Sequence, residues 1–164
     1  MEVNDRIISQ VGPGEGRSLW VMGGLVTRKV SSERTGGAYS LFELTVRPQE
    51  GVPPHIQHRE DECFYVLEGE FEFLDDVRTF VAGPGSLIYV PKGNLHAFKN
   101  VSEGVGRMLV SQTPGGLHEC FFEEIGEEAG DGTIPPVPDG TPNVGKIIAI
   151  AAKYGIEIPL PPGQ

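Results

Sequence analysis

Residues 85–100 read GSLIYVPKGNLHAFKN, and residues 51–73 read GVPPHIQHREDECFYVLEGEFEF. The later stretch holds two short β-rich runs, 87–90 and 96–99, around a turn built on Pro91, Gly93 and Asn94. Pro91 stands at a strand end, where its missing N–H costs little. Side chains of equal parity on a strand share a face, so if His96 points inward, Phe98 and Asn100 follow it. By the same rule Glu62 goes with Phe64 and Val66, and His55 with Gln57. His58 falls on the opposite face unless a bulge intervenes. Cys63, next to Glu62, faces away from it.

Working outward, β-rich runs recur at 19–30, 38–46, 52–57, 62–67, 70–74, 79–81, 87–90, 96–99 and 107–111. Turn clusters separate them about every ten residues, which reads as an all-β sandwich or barrel. The 23 glycines and 14 prolines suit many short strands better than a helical bundle. Past Gln112 the pattern changes. Leu117, Phe121 and Ile125 recur at helical spacing within LHECFFEEIGEEAG, predicting a helix across the barrel. Residues 131–140 form a Pro-rich linker. Thr141-Pro142 fits an N-cap and first helical residue, and Gly155 a C-cap. Val144, Ile147, Ile148, Ala151 and Tyr154 mark the apolar face of this last helix. The expected division is therefore a barrel with its N-terminal strands over 1–112. Residues 113–164 then carry the two helices, packed on the barrel or on a partner.

The net charge of −10, with scattered Lys and Arg, argues against nucleic acid or an anionic membrane as partner. No apolar run approaches a membrane span, and the N-terminus lacks the apolar centre of a signal peptide. Two cysteines, Cys63 and Cys120, are too few for a disulfide framework and read as reduced packing residues in a cytoplasmic protein.

Three of the four histidines lie in the two quoted segments. Imidazole and carboxylate together suit first-row divalent metals, and two His with one Glu leave positions open for substrate or oxygen. The segments resemble the paired motifs of the cupin superfamily. The second motif is complete in Gly85, Pro91, Gly93, His96 and Asn100, and the first matches at Gly51, His55, Glu62 and Gly69. The family's second histidine would fall where this chain has Gln57.

The resemblance implies a single-domain cupin β-barrel (a jelly-roll-like double-stranded β-helix) with a divalent metal held by His55, Glu62 and His96. Iron, manganese, nickel, zinc and copper all remain candidates. Gln57 offers a weaker, neutral oxygen as a fourth donor, His58 could instead rotate inward, or water fills the place. The chain is similar to small cupins of the quercetin-dioxygenase-like kind. That implies a metal-dependent dioxygenase, an oxidoreductase acting on a small, largely apolar substrate with Glu62 as base. An isomerase or cyclase, and a binding protein without turnover, are the alternatives. Cupins commonly dimerise, so a homodimer is expected.

Other residues have plainer readings. Phe64, Phe71, Phe73, Tyr89 and Phe98 serve as barrel packing or line the substrate pocket. Phe121 and Phe122 either cap the barrel mouth or pack on the sheet. His118 fits a hydrogen-bonded structural role, and Glu60-Asp61 a solvated turn.

Overall fold

The computed structural model describes residues 7–131, 142–161 and 163. Among these, ten strands precede the first helix: β1 Arg17–Val21, β2 Gly24–Val30, β3 Ser40–Val46, β4 Gly51–Gln57, β5 Asp61–Glu68, β6 Phe71–Asp75, β7 Arg78–Ala82, β8 Leu87–Val90, β9 Leu95–Asn100 and β10 Gly106–Thr113. Helix α1 (Leu117–Ile125), the short β11 (Glu127–Glu128), helix α2 (Val144–Lys153) and the short β12 (Ile156–Glu157) follow. The strands form two antiparallel sheets, in the orders β11-β1-β2-β3-β10-β5-β8 and β12-β4-β9-β6-β7. The all-β expectation holds, and the helices are short additions to it.

Alternation places the core. In β3, Ser40, Phe42, Leu44 and Val46 are buried in turn; in β10, Gly106, Met108, Val110 and Gln112 are. Phe64, Phe71 and Phe73 are buried between the sheets. Phe64 meets Phe98 edge to face with centroids 5.6 Å apart, and Phe71 meets Phe98 likewise at 5.9 Å. Each such pair contributes about 0.5–1.5 kcal/mol beyond its burial.

The run 19–30 is two strands rather than one. Met22 and Gly23 both take positive φ, 48° and 85°, the sign pattern of a two-residue hairpin turn that matches strand twist, and Val21 pairs with Gly24 across it. Gly51 is required for another reason: a Cβ there would lie 1.9 Å from the Phe98 carbonyl oxygen, so β4 and β9 could not approach each other.

The expected C-terminal helix boundaries shift. Helix α1 stops at Ile125, because Gly126 is extended (φ −86°, ψ 163°) and the chain turns into β11, which pairs with β1. The buried face of α1 is His118, Glu119, Phe121 and Phe122, which leaves Cys120 outside. Cys120 is thus exposed and Cys63 only half-buried on the outer face of β5. Both are free, but neither is the core-packing residue expected. The linker 132–140 and Thr141 lie outside the described residues. The cap of α2 is Asn143, whose Oδ1 accepts from the Lys146 N–H at 3.0 Å, so Pro142 precedes the helix instead of opening it. Gly155 follows the helix with φ 76°, as a terminating glycine should. Ala151 is fully buried, and Ile147, Ile150 and Tyr154 pack against the core, whereas Val144 is exposed. Among the described residues, no helix is long and apolar enough to cross a membrane.

Candidate functional site

Two ladders bring the polar groups together. Residues His55 and His96 are paired across β4 and β9, and Glu62 is paired with Gln112 across β5 and β10. A register shift between Val52 and His55 re-aims β4 as it reaches the cluster. One ligand atom from each of His55, Glu62 and His96 lies within 4.8 Å of the others. The imidazole rings of His55 and His96 are 4.2 Å apart.

Each imidazole is oriented from behind. His55 Nδ1 lies 2.9 Å from the Pro53 carbonyl oxygen and His96 Nδ1 lies 3.0 Å from that of Asn94. A carbonyl accepts, so Nδ1–H donates in both rings and each Nε2 is left for the cluster. His96 Nε2 stands 2.7 Å from Glu62 Oε2, and Gln112 Nε2 donates to Glu62 Oε1 at 3.2 Å. The motif's Asn100 is structural. Its Nδ2 donates to the carbonyls of Val46 and Gly104, and its Oδ1 accepts from the Ser102 N–H.

These contacts set the charges. Burial and the neighbouring His96 push the His55 imidazole down to about 4, so it is neutral at neutral pH. Burial alone would raise the Glu62 carboxyl. The hydrogen bond with His96 and the fields of the nearby histidines outweigh that and hold it at about 2. Burial opposes a charge on His96, but the hydrogen bond and charge of Glu62 prevail and raise its pKa above the ordinary value.

The donor set fits a divalent cation. Adjacent donors about 2.1 Å from one ion lie about 3 Å apart, close to the spacing of His96 Nε2 and Glu62 Oε2. Buried polar atoms without partners include both amide atoms of Gln57, which is 2% exposed and on the strand of His55, and Oε1 of Gln112, whose amide nitrogen meets Glu62; Ser40 Oγ and Arg47 Nη1 are also without partners. Buried polar groups are rarely left unpaired, so this surplus of donors and acceptors suits a site that takes something more.

The cluster opens on a cavity of about 100 Å³ whose walls are mainly apolar, with Leu25, Val52, Phe64, Phe98, Phe121 and Phe122 among them. The aromatic expectations therefore divide. Phe64 and Phe98 line this cavity. Phe71 and Phe73 pack in the core beside it. Tyr89 is 61% exposed, because Ile88 and Val90 take the inward positions of β8 and leave it outside. Phe121 and Phe122 fill both expected roles: they line the cavity, and Phe122 packs edge to face on Phe42 at 5.3 Å. His58 does not rotate inward; it is exposed, with Nε2 2.7 Å from Glu157 Oε2.

Residues 42–111 match the model of the cupin domain. The chain belongs to the cupin superfamily. An uncharacterised protein of Streptomyces coelicolor is 30% identical to this cupin over 74 residues, 45% of this chain and 68% of that one. Solved cupin-like structures share the fold. The polyketide cyclase RemF of Streptomyces resistomycificus is 23% identical with a TM-score of 0.57, over 65% of this chain and 80% of that one. A predicted oxalate decarboxylase of Thermotoga maritima is 20% identical with a TM-score of 0.59, over 65% and 99%. A sugar phosphate isomerase of Silicibacter pomeroyi is 24% identical with a TM-score of 0.50, over 56% of this cupin and 59% of that chain. These likenesses are in fold.

Two buried groups escape a reading of the sequence alone. Glu60, expected in a solvated turn, is 2% exposed, and His118 lines the cavity. Gln112 stands just past the expected strand 107–111, although extending that strand's inward parity by one residue places it beside Glu62.

Proposed function

We propose that this cupin is a divalent-metal enzyme acting on a small, largely apolar organic molecule that carries an ionisable oxygen. In its finer form the reading is a dioxygenase of the quercetinase type. The observation that carries it is the mainly apolar cavity ending on His55 and Glu62, two members of the cluster they form with His96. His55, Glu62 and His96 would hold the metal, with Gln57, buried and without side-chain partners among the described residues, a candidate fourth donor. A bound metal supplies Lewis acidity toward a substrate oxygen and, if redox-active, the electron transfer that reaction with O2 needs. The chain's own residues bind and orient: the walls exclude water, and Glu62, ionised at neutral pH, accepts a hydrogen bond or proton from a substrate hydroxyl.

A second reading, a metal-dependent isomerase or cyclase, is favoured by the Glu60–His118 pair beside the same cavity, since rearrangement needs proton transfer and no oxidant. The experiment is incubation of metal-loaded protein with a flavonol and with a 1,3-diketone, aerobically and anaerobically, recording oxygen uptake and loss of the compound. Loss tied to oxygen uptake supports the dioxygenase, and loss without oxygen the isomerase or cyclase. Binding without loss would make the protein a ligand-binding cupin and overturn the enzyme reading.

A homodimer is part of the proposal. Tyr65 and Leu87, paired across β5 and β8, and Tyr89 beside them leave apolar surface on the outer face of one sheet.

A further inference from the structure

The cavity has a second polar wall besides the metal-ligand cluster. His118, in the first turn of α1, is 6% exposed and lines the cavity, and it stands outside the group of atoms that could share one ion. Phe122 meets its ring at 4.6 Å and Phe121 at 5.6 Å, both edge to face. Glu60, from the connection between β4 and β5, binds this histidine twice. Its Oε1 accepts from the His118 backbone N–H at 3.0 Å, and its Oε2 lies 3.2 Å from His118 Nδ1. An ionised carboxylate only accepts, so Nδ1–H donates to Glu60 and Nε2 is the ring nitrogen left to take or give a proton. Helix α1 has no side-chain cap of its own at Gly116, so one bond from Glu60 serves the helix. The second bond adds nothing to capping. It fixes the tautomer and the orientation of the ring.

We infer that His118 is a catalytic proton-transfer residue of this cavity and that Glu60 is its positioning residue. The inference rests on the reading of the site as a metal-dependent enzyme, and it narrows the substrate to an apolar molecule with an acidic C–H or O–H near its metal-binding oxygen. In the step, Nε2 accepts the substrate proton, the electron pair of the broken bond stays on the substrate as an enolate, and the proton later returns to product or passes to water. Neither oxidant nor reductant takes part. The titratable groups facing His118 are Glu60, and His55 and Glu62 through the cavity. Its helix neighbour Glu119 turns to the Ser32 N–H and Arg28 instead.

The test uses metal-loaded full-length protein, mixed anaerobically with benzoylacetone in a stopped-flow instrument, following the absorbance of the enolate. His118→Gln keeps a polar amide where Nε2 faced the cavity but cannot carry a proton. It should keep metal content and benzoylacetone affinity and slow enolate formation about a hundredfold or more. His118→Ala should be slow in the same way and be restored by added imidazole. Glu60→Gln should keep benzoylacetone affinity and slow the step, though less than His118→Gln, because the ring loses the acceptor that fixes its tautomer and orientation. Enolate formation at the wild-type rate in His118→Gln overturns the inference while leaving the metal reading intact. A Glu60→Gln protein that only melts earlier, with its rate of enolate formation unmoved, reduces Glu60 to a helix cap and overturns its half. Wild-type protein that does not bind benzoylacetone, or binds it without forming enolate, overturns the proposed function and this inference with it.

Discussion

Replacing Gln57 by Met should stabilise the metal-free protein. The Gln57 side chain is 2% exposed, and neither its Oε1 nor its Nε2 has a partner among the described residues. A buried polar group left unpaired costs about 1–3 kcal/mol relative to its hydrated state. Methionine has nearly the same length and shape and no such requirement, so the gain is about 1–3 kcal/mol once imperfect packing is discounted. In a domain of this size each kcal/mol moves Tm by about 2–4 °C, which puts the expected rise near 2–12 °C. The assay is calorimetry on protein dialysed against a chelator, repeated after metal is restored. With metal present the advantage should shrink or reverse, because a ligand that binds only the folded state stabilises it in proportion to its affinity, and the variant has lost an oxygen donor. A metal-free Gln57→Met protein that melts at or below the wild-type temperature would refute the reasoning, since the amide would then already be satisfied.

Other outcomes follow from the same geometry. Gln57→His should bind metal more tightly than wild type by isothermal titration, because an imidazole is a stronger donor than an amide oxygen for iron, nickel, copper or zinc; unchanged affinity would place position 57 outside the coordination sphere. His96→Ala should lose bound metal while its circular dichroism stays β-rich. Its Tm should also fall, since removing one partner of a buried ion pair costs about 3–5 kcal/mol, and a variant retaining one equivalent of metal would remove His96 from the site. Metal affinity should depend on pH through His96. Its pKa is raised in the metal-free protein, so a proton competes with the metal, and affinity should climb about tenfold per pH unit as pH rises toward that raised pKa and level off above it. The same linkage makes the His96–Glu62 pair stabilise the metal-free fold fully between the ordinary carboxylate and histidine pKa values, less as pH rises through the raised value of His96 and less as it falls toward about 2 for Glu62; competition titrations flat across pH would contradict the first statement, and a metal-free Tm flat across pH the second. Light scattering should report a dimer, and a mass near 17.7 kDa at every concentration would dismiss it.

The sequence makes the barrel legible because its two motifs carry geometric necessities. Gly51 has no room for a Cβ beside Phe98, and parity alone groups His96 with Phe98 and Asn100. The same parity rule, applied to 87–90, groups Ile88 with Val90 and Leu87 with Tyr89 without choosing between two apolar faces, and the structure turns Tyr89 outward. Aromatic type alone points the other way, and it misleads there. The hairpin at Met22-Gly23 is hidden because methionine seldom takes positive φ and gives no turn signal of its own. His118 and Glu60 are illegible for a different reason. They are 58 positions apart, one on a helix and one in a connection, and no local periodicity links two such residues.

The two-residue strand β12 gives the C-terminal segment a stake in the metal centre. It pairs Ile156 with Gln57 and Glu157 with Ile56, and so covers the open edge of the strand that carries His55. Ile156 and Ile158 also form part of the cavity wall. An uncovered strand edge is sticky, and only two ladder pairs with a helix behind them keep this one closed. Fraying of the segment would open both the edge and the cavity beside it, at a free-energy cost well below that of global unfolding. Occupancy of the site and attachment of this segment are therefore thermodynamically linked, each raising the cost of losing the other, so hydrogen exchange at residues 156 and 157 should slow when metal is bound.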